Sequence, residues 1–279
     1  MKTENVPKKK NFSSLSHSAV SLLATIAIPI ELVISILIYK FVLGDPSHFI
    51  GNSLENNPAD YLGTVYRGGI IVPILMTLFL IVMTFFLERL WTLRKAQGKR
   101  SMRKFLANVK DHIQSLRLDA AKRECDLQQG TVANVIRAGL EKYQEMEKTE
   151  GLNVEKKVLA LQKELEEAET IEMPMLERNL VILSTIASIA TLLGLFGTVL
   201  GMIRSFKALA YAGAPDAIGL ATGISEALIN TAFGIGTSML AIVFYNYFTT
   251  RIDNILFVIA ETGQAIVHTF SYHHTDKQG

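Results

Sequence analysis

Two long apolar segments in the second half of the chain constrain its fold more than any other feature. The first, Asn179 to Ile203, contains no charged side chain and is bracketed by Arg178 and Arg204. The second runs from about Ile218 to Phe248. A hydrocarbon core ~30 Å thick is crossed by ~20 helical residues, so each segment is long enough to span a bilayer. Because lipid offers no hydrogen-bonding partners to the backbone, both segments are predicted to be helices.

Two further apolar segments precede this pair. Residues 19–43 follow the basic run Lys8–Lys10 and are longer than the ~7–15 residues of a signal-peptide core, with no convincing cleavage site after them. They are predicted to form an additional first transmembrane helix. Residues 69–90 end in a dense basic cluster beside Trp91, which indicates a cytoplasmic end by the positive-inside rule.

These segments divide the chain into nine parts and place both termini in the cytoplasm. The predicted parts are a basic cytoplasmic amino terminus (1–18), the first span (19–43), a periplasmic loop (44–68), the second span (69–90), a cytoplasmic helical domain (91–178), the third span (179–203), a periplasmic hairpin (204–217), the fourth span (218–248) and a cytoplasmic carboxyl-terminal helix and tail (249–279).

The water-facing parts are also predicted to be helical. Between Ser101 and Glu177 the chain carries charges of both signs, and apolar residues such as Val158, Leu161 and Leu165 recur at helical spacing. The last helix of this domain is predicted to run directly into the third span, and the fourth span to continue into the carboxyl-terminal region. The fold class is therefore an all-α integral membrane protein with four spans and long helices that extend into a cytoplasmic domain.

Composition and motifs exclude several function classes. The chain is 49% hydrophobic and its net charge is only +2, with basic residues beside apolar runs, which argues against nucleic acid as a partner. Cys125 is the single cysteine, so no internal disulfide is expected. His273 and His274 lack further ligands at metal-site spacing and are interpreted as a solvated tail.

No enzyme motif is present either. The sequence contains neither a phosphate-binding P-loop nor an HExxH or GxSxG pattern, so no catalytic residue, metal or cofactor is predicted. Without a nucleotide site, any energy conversion draws on an ion gradient or on a partner.

The polar residues inside the spans are the candidate functional residues. Glu226, Asn230, Gly234 and Thr237 share roughly one face of the fourth span, which suggests a helix that lines an interior seam. Intramembrane carboxylates are rare and usually functional, so Glu226 is the first candidate. Glu31 in the first span is left open between a buried pair and an interfacial residue.

Hydroxyl and glycine residues form a second set of candidates. Thr231 and Ser238 lie on the face that adjoins Glu226, and Thr198 in the third span lies among Gly194, Gly197 and Gly201. Glycines allow a neighbouring backbone to approach closely, which would place the Thr198 hydroxyl against whatever packs there. Backbone hydrogen bonding for the threonines and ordinary helix packing for the glycines stay open as alternatives.

Two sequence blocks carry a resemblance to a known family. The first is Glu177 to Leu180 leading into Gly194 to Met202, which reads GLFGTVLGM. The second is Gly223 to Ala232, which reads GISEALINTA, followed by Tyr245 and Asn246. Together with Glu88 to Trp91, these blocks resemble the ExbB/TolQ/MotA proton-channel family, most closely its ExbB/TolQ branch, over about residues 70–263.

The resemblance implies a function and partners. Family members form pentamers around a dimer of a single-span partner, ExbD or TolR, whose intramembrane carboxylate carries the proton. Proton flow then energises a periplasm-spanning protein such as TonB. The matching positions make Thr198, Glu226 and Thr231 the ion pathway. Beside these positions, Thr191, Asn230 and Thr237 are possible pore-lining residues, and Gly194, Gly197, Gly201 and Gly234 are candidates for helix packing.

The sequence also departs from the family pattern. Usual ExbB and TolQ chains have three spans with the amino terminus outside, whereas this chain has an extra first helix. Many members place proline where Thr191 and Leu240 stand, and small apolar residues where Thr237 and Ser238 stand. The extra hydroxyls are suited to Na⁺ as well as to backbone contacts, so the coupling ion is expected to be H⁺ with Na⁺ as the alternative.

The expected function is thus the channel subunit of an inner-membrane motor of the ExbB–ExbD type, driven by the proton-motive force. A TolQ-like subunit of an envelope-constriction (Tol–Pal) motor is the first alternative. A secondary transporter that uses Glu226 would show internal repeats and broken helices, which the sequence lacks. A structural scaffold would leave ion flux unchanged after Glu226→Gln.

Overall fold

The computed structural model describes residues 26–54, 56–210 and 216–275. The predicted basic amino terminus (1–18), the beginning of the first predicted span (19–25), the centre of the predicted hairpin (Tyr211–Pro215) and the last four residues of the tail lie outside these described residues.

Helices make up almost all of the described chain, which is 87% helical and contains no strand. The predicted all-α fold is therefore confirmed. The helices are α1 (Ile26–Leu43, with a π-helical turn over Ile38–Leu43), α2 (Tyr61–Tyr66), α3 (Ile71–Gln97), α4 (Met102–Gln114), α5 (Leu118–Gln128), α6 (Thr131–Lys148), α7 (Val154–Glu177), α8 (Leu180–Ala210) and α9 (Ala217–Thr275). Four of them, α1, α3, α8 and α9, provide apolar stretches long enough to cross a membrane.

The chain divides into two compact units. The first comprises the described residues up to Thr84 together with Thr185–Ala241, and the second comprises Phe85–Ser184 together with the described residues from Ile242 onward. Helices α3, α8 and α9 contribute residues to both units.

In the first unit, α1 is fastened to α3 by a buried hydroxyl. The Ser35 hydroxyl donates to the Pro73 carbonyl at 2.6 Å, and Thr77 donates to the same carbonyl at 2.8 Å. Ser35 is fully buried and Thr77 almost so. A hydroxyl inside a membrane needs such a partner, because lipid supplies none.

The loop between α1 and α3 is ordered by polar contacts. Asp60 caps α2 by accepting from the Gly63 amide at 2.9 Å, and it also pairs with His48 at 2.7 Å. Arg67 donates to the carbonyls of Leu54 and Asn56 at 3.1 and 2.7 Å. The carbonyls of Leu54 and Asn56 thus receive their hydrogen bonds from the Arg67 side chain rather than from a neighbouring strand.

The second unit is a helical bundle with its own apolar core. Helices α4 to α7 pack with the carboxyl-terminal part of α9 around fully buried side chains that include Phe105, Ile136, Tyr143, Leu161 and Phe270. The close approach of α6 to α7 depends on Gly139, because a Cβ there would lie 2.5 Å from Leu165 Cδ2 and 3.2 Å from Leu165 Cγ. The predicted helical periodicity of this region is thus realised as a packed core.

Arg89 is the largest buried side chain of this unit, with 1% of its surface exposed. Its Nη1 donates to the Leu176 carbonyl at 3.1 Å, and its Nε and Nη2 donate to the two carboxylate oxygens of Glu88 at 2.6 Å. The guanidinium therefore satisfies a carbonyl at the end of α7 while its charge is paired.

The predicted direct continuation of the last soluble helix into the third span is wrong. Helix α7 ends at Glu177 and α8 begins at Leu180, and Asn179 between them has a φ of 65°. Pro174 lies one turn before the break and has no backbone N–H to donate to the preceding turn. Asparagine adopts the left-handed region more readily than most residues. The backbone therefore leaves the helical conformation between Glu177 and Leu180, and α7 and α8 are two helices rather than one.

Helix α9 runs without a break over 59 residues, as its apolar stripe predicted. Its last turns are not a solvated tail, which corrects the interpretation of His274. The His274 ring stacks on Phe270 with centroids 4.2 Å apart and faces the edge of Tyr143 at 6.4 Å. Within the described residues, no cluster of three or more metal-ligating side chains occurs.

Cys125 provides a test of this bundle. Its side chain is buried in α5, and burial raises the pKa of the Cys125 thiol to about 12. Only the thiolate reacts with maleimides, so labelling of the folded protein at mildly alkaline pH should be about 1000-fold slower than labelling of the denatured chain. Rapid labelling under folding conditions, followed by mass spectrometry, would contradict this packing.

Candidate ion pathway

Glycines bring the backbones of α8 and α9 into direct contact. A Cβ added to Gly194 would lie 3.2 Å from the Gly234 Cα, and one added to Gly201 would lie 2.6 Å from the Gly223 carbonyl oxygen. The pairing runs in opposite directions along the two helices, as expected for a helical hairpin. We call this contact the glycine seam. It contains all four glycines that the sequence singled out for helix packing.

Asn230 occupies the centre of the glycine seam. It is fully buried, and a Cβ on Gly197 would meet its side chain, with Cγ and Nδ2 at 2.8 Å. Its Nδ2 donates to the Gly68 carbonyl at 2.9 Å, before the start of α3. The structure thus places this predicted pore-lining residue inside the helix packing of the chain. Its polar group ties α9 to the loop ahead of α3.

Thr198 and Thr231 lie together at one edge of the seam. Each follows a seam residue by one position, Gly197 and Asn230 respectively. One residue corresponds to about 100° of rotation in a helix, and in antiparallel helices this rotation turns both side chains toward the same side. Both threonines are partly exposed, and we call this feature the threonine edge.

The surroundings of the two hydroxyls are apolar and exposed. Thr198 donates to the Leu195 carbonyl at 2.5 Å, and Thr231 donates to the Gly194 carbonyl at 3.4 Å. Both bonds are to backbone oxygens, so each hydroxyl oxygen retains acceptor capacity. The residues a turn before and after each threonine are exposed: Leu195, Met202, Leu228 and Ile235.

The remaining predicted pore-lining residues are divided between edge and interior. Thr191 lies seven positions before Thr198, hence on the same stripe of α8, and is half-buried. Thr237 is 2% exposed, and its hydroxyl has no partner among the described residues. Ser238 donates to the Ala187 carbonyl. Ser238 lies seven positions after Thr231 but is buried, so among these residues only the partly exposed Thr191 extends the threonine edge.

Glu226 is buried and paired with a cation that sequence reasoning did not assign to it. Its side chain is 4% exposed, and its two carboxylate oxygens lie 2.7 and 2.6 Å from Arg204 Nη1. Arg204 itself is 55% exposed. The sequence held a signal for this pair, because Arg204 and Glu226 are equally far from Pro215 and so lie opposite each other in a hairpin.

Gly69 completes the surroundings of the carboxylate. It has a φ of 75°, and a Cβ there would overlap Glu226 Oε1 and lie 3.3 Å from Arg204 Nη1. Glycine is required both by the backbone conformation and by the space. The Arg204–Glu226 pair therefore joins the carboxyl-terminal part of α8 and the amino-terminal part of α9 to Gly69, two residues before α3 begins.

The glycine seam generates a prediction with a control in the same hairpin. Gly197→Ala should destabilise the protein by about 1–3 kcal/mol, because the new methyl group collides with Asn230 in a packed contact. Gly236→Ala, where nothing lies within 4 Å of the added Cβ, should have little effect. Thermal unfolding in detergent measures both, and equal stability of the two variants would contradict the seam.

The Arg204–Glu226 pair generates a second prediction. Arg204→Ala should destabilise the protein by about 1–2 kcal/mol, less than the ~3–5 kcal/mol of a fully buried pair because Arg204 is half exposed. Adding Glu226→Ala to this variant should cost much less than it does in the wild-type background. Strictly additive effects in the double-mutant cycle would show that the two charges are not coupled.

Comparisons with known proteins find similarity to proton-channel subunits. The model of the MotA/TolQ/ExbB proton channel family matches residues 128–261, a range that contains the glycine seam and the threonine edge. The Tol–Pal system protein TolQ of Pseudomonas aeruginosa is 31% identical over 140 residues, which cover 49% of this chain and 61% of that protein.

Two ExbB proteins show the same similarity over shorter stretches. An ExbB-like biopolymer transport protein of Synechocystis is 36% identical over 103 residues, 36% of this chain and 49% of that protein. The biopolymer transport protein ExbB of Salmonella typhimurium is 40% identical over 72 residues, 26% of this chain and 30% of that protein. The chain therefore spans less than two thirds of each of these relatives. Residues 128–261, just under half of this chain, are therefore similar to the MotA/TolQ/ExbB proton channel family, and four of its apolar helices are long enough to cross a membrane.

Proposed function

We propose that this chain is the channel subunit of an inner-membrane motor of the ExbB–ExbD type, driven by the proton-motive force. In this proposal both termini are cytoplasmic, five copies surround two copies of an ExbD/TolR-like single-span protein, and the motor energises a TonB-like protein for outer-membrane transport. Relatives named TolQ and ExbB support the class of machine.

The threonine edge is the observation that carries the proposal. It presents two hydroxyl groups side by side on a surface whose neighbouring residues Leu195, Met202, Leu228 and Ile235 are apolar. A hydroxyl that already donates to its own backbone can still accept a hydrogen bond. An acidic side chain of a partner helix, in its protonated form, would find such an acceptor here and lose it on ionisation.

The glycine seam explains why the edge suits a moving partner. Because backbone contact fixes the rotation of α8 and α9, the hydroxyls keep their positions while a partner helix turns past them. The ordering of these groups costs nothing at the moment of proton transfer. Thr191 on the same stripe of α8 would extend the path.

Glu226 has a different role in this proposal. Since Arg204 pairs with it and Gly69 covers it, Glu226 is a structural group that modulates the path rather than a carrier of protons. The proposal assigns no metal or cofactor to Glu226 or to the threonine edge. Its coupling ion is H⁺. Na⁺ is the alternative, because the same hydroxyl oxygens are suitable ligands for a hard cation.

A TolQ-like subunit of a Tol–Pal motor is the second candidate. It is favoured by the TolQ of Pseudomonas aeruginosa, whose match covers more of this chain than those of the two ExbB proteins described above. The two candidates differ in the protein that is energised, not in the channel. Complementation of cells that lack exbB or tolQ, scored by iron-siderophore uptake and by detergent sensitivity, separates them.

The test begins with assembly and ends with ion flux. The chain is co-expressed with the neighbouring small single-span protein, and native mass spectrometry of the purified complex should give five copies to two. A monomer or dimer that ignores the small protein would overturn the proposal. The complex is then reconstituted in liposomes with an internal pH-sensitive dye.

Thr231→Val should abolish proton flux while the five-to-two complex still forms, because valine keeps the shape of threonine and removes only the hydroxyl. Thr198→Val should have the same direction of effect. Thr222→Val is the matched control, since Thr222 on the same helix also donates to a backbone carbonyl, that of Ile218 at 2.8 Å, but lies off the edge. Wild-type flux in Thr231→Val would remove the threonine edge from the pathway.

A further inference from the structure

A second buried carboxyl group lies outside the threonine edge, in the additional first helix. Glu31 in α1 is 7% exposed and forms a side-chain hydrogen bond with Thr84 of α3. Its second carboxylate oxygen, Oε2, is buried and has no hydrogen-bond partner among the described residues. The proposed ion pathway uses neither residue.

Glu31 borders a cavity of about 380 Å³ between α1 and α3. The other lining residues are mostly apolar: Ile26, Ala27, Ile30, Ile34, Leu80 and Thr84. A cavity of this size is large enough for several water molecules or for a small organic molecule. Glu31 and Thr84 are the polar residues of this lining.

No cation neutralises Glu31 from either helix that packs against it. On α3 the chain carries no charged side chain from Ile71 until Glu88, which is bonded to Arg89. On the described part of α1, Lys40 is the other charged residue and lies nine positions further on, about half a turn round the helix. Tyr39, the remaining titratable group of α1, donates to the Tyr66 carbonyl.

The two intramembrane carboxyl groups therefore differ in kind. Glu226 is held by a guanidinium with both oxygens, whereas Glu31 has one hydroxyl partner and an apolar cavity. A carboxylate in hydrocarbon without a counterion is strongly unfavourable, and the neutral acid is the form that such surroundings accept. Protonation also gives the group a donor as well as an acceptor.

We propose that Glu31, together with Thr84, is a proton-binding site separate from the threonine edge, which holds its proton inside the membrane between α1 and α3. The ligand is the proton itself, and the cavity is the route by which small molecules reach the acid. The neutral acid lets α1 and α3 pack without an unpaired charge between them.

An apolar carbodiimide tests the site, because it reacts with a protonated carboxyl group in apolar surroundings. The acid proton moves to one nitrogen of the carbodiimide, and the carboxylate oxygen bonds to the central carbon to give an O-acylisourea. Transfer of the acyl group from oxygen to nitrogen then gives a stable N-acylurea. No atom leaves, so the peptide that contains Glu31 gains the mass of one carbodiimide.

The experiment treats the full chain in lipid nanodiscs with dicyclohexylcarbodiimide over a series of pH values, followed by peptide mass spectrometry. Modification of the Glu31 peptide should be strong at mildly acidic pH, fall as pH rises, and disappear in Glu31→Gln. The Glu226 peptide should stay unmodified.

Absence of modification at Glu31 throughout the pH series, or modification that is independent of pH, would overturn the proposal. Infrared spectroscopy of the wild-type protein gives a second readout that does not depend on reagent access. A protonated-carboxyl band that shifts in heavy water, persists in Glu226→Gln and is lost in Glu31→Gln supports the site. A wild-type spectrum without such a band overturns it.

Discussion

Backbone contact between α8 and α9 is the interaction on which the rest of the membrane unit depends. In lipid there is no hydrophobic force between helices, so association relies on van der Waals contact and hydrogen bonds. Gly194, Gly201, Gly223 and Gly234 allow the two backbones to meet. This contact fixes the rotation of both helices, and the rotation decides which side chains are covered and which are presented at the edge.

The polar groups of the unit separate into two classes because of that contact. Ser35, Asn230 and Ser238 donate to backbone carbonyls of other segments and act as fasteners. Thr198 and Thr231 remain at the surface with acceptor capacity unused. Fastening explains polar residues in the interior of a membrane protein without any transport role, whereas the surface hydroxyls fasten no second segment beyond the α8–α9 pair.

Much of this arrangement follows from sequence, and the failures have physical reasons. Long charge-free runs dictate spans, and small residues four apart dictate a close seam. Periodicity also placed Glu226, Asn230 and Thr237 on one face, but it could not reveal that the chain itself covers that face. The break before α8 depends on the backbone angles of Arg178 and Asn179, which an uninterrupted helical pattern in the sequence conceals.

Contacts between residues that are distant in sequence were the other feature that the sequence alone did not predict. Arg204 was recognised only as the charged end of a span, although its mirror position across the hairpin points to Glu226. Arg89 was assigned to the basic cluster beside the membrane, whereas its guanidinium is buried against carbonyls at the end of α7. In both cases the decisive partner is distant in sequence, and charge alone does not identify it.

The glycine seam also determines how heat acts on the protein. Separating α8 from α9 within a bilayer exposes apolar surface to acyl chains and not to water, so it carries almost none of the heat-capacity increase that accompanies ordinary unfolding. The free energy of the seam should then change almost linearly with temperature. The helical bundle around Tyr143 and Phe270 buries its side chains away from water and follows the usual curved dependence. On cooling, the hydrophobic contribution to the stability of the bundle therefore decreases, whereas the α8–α9 contact has no such contribution to lose.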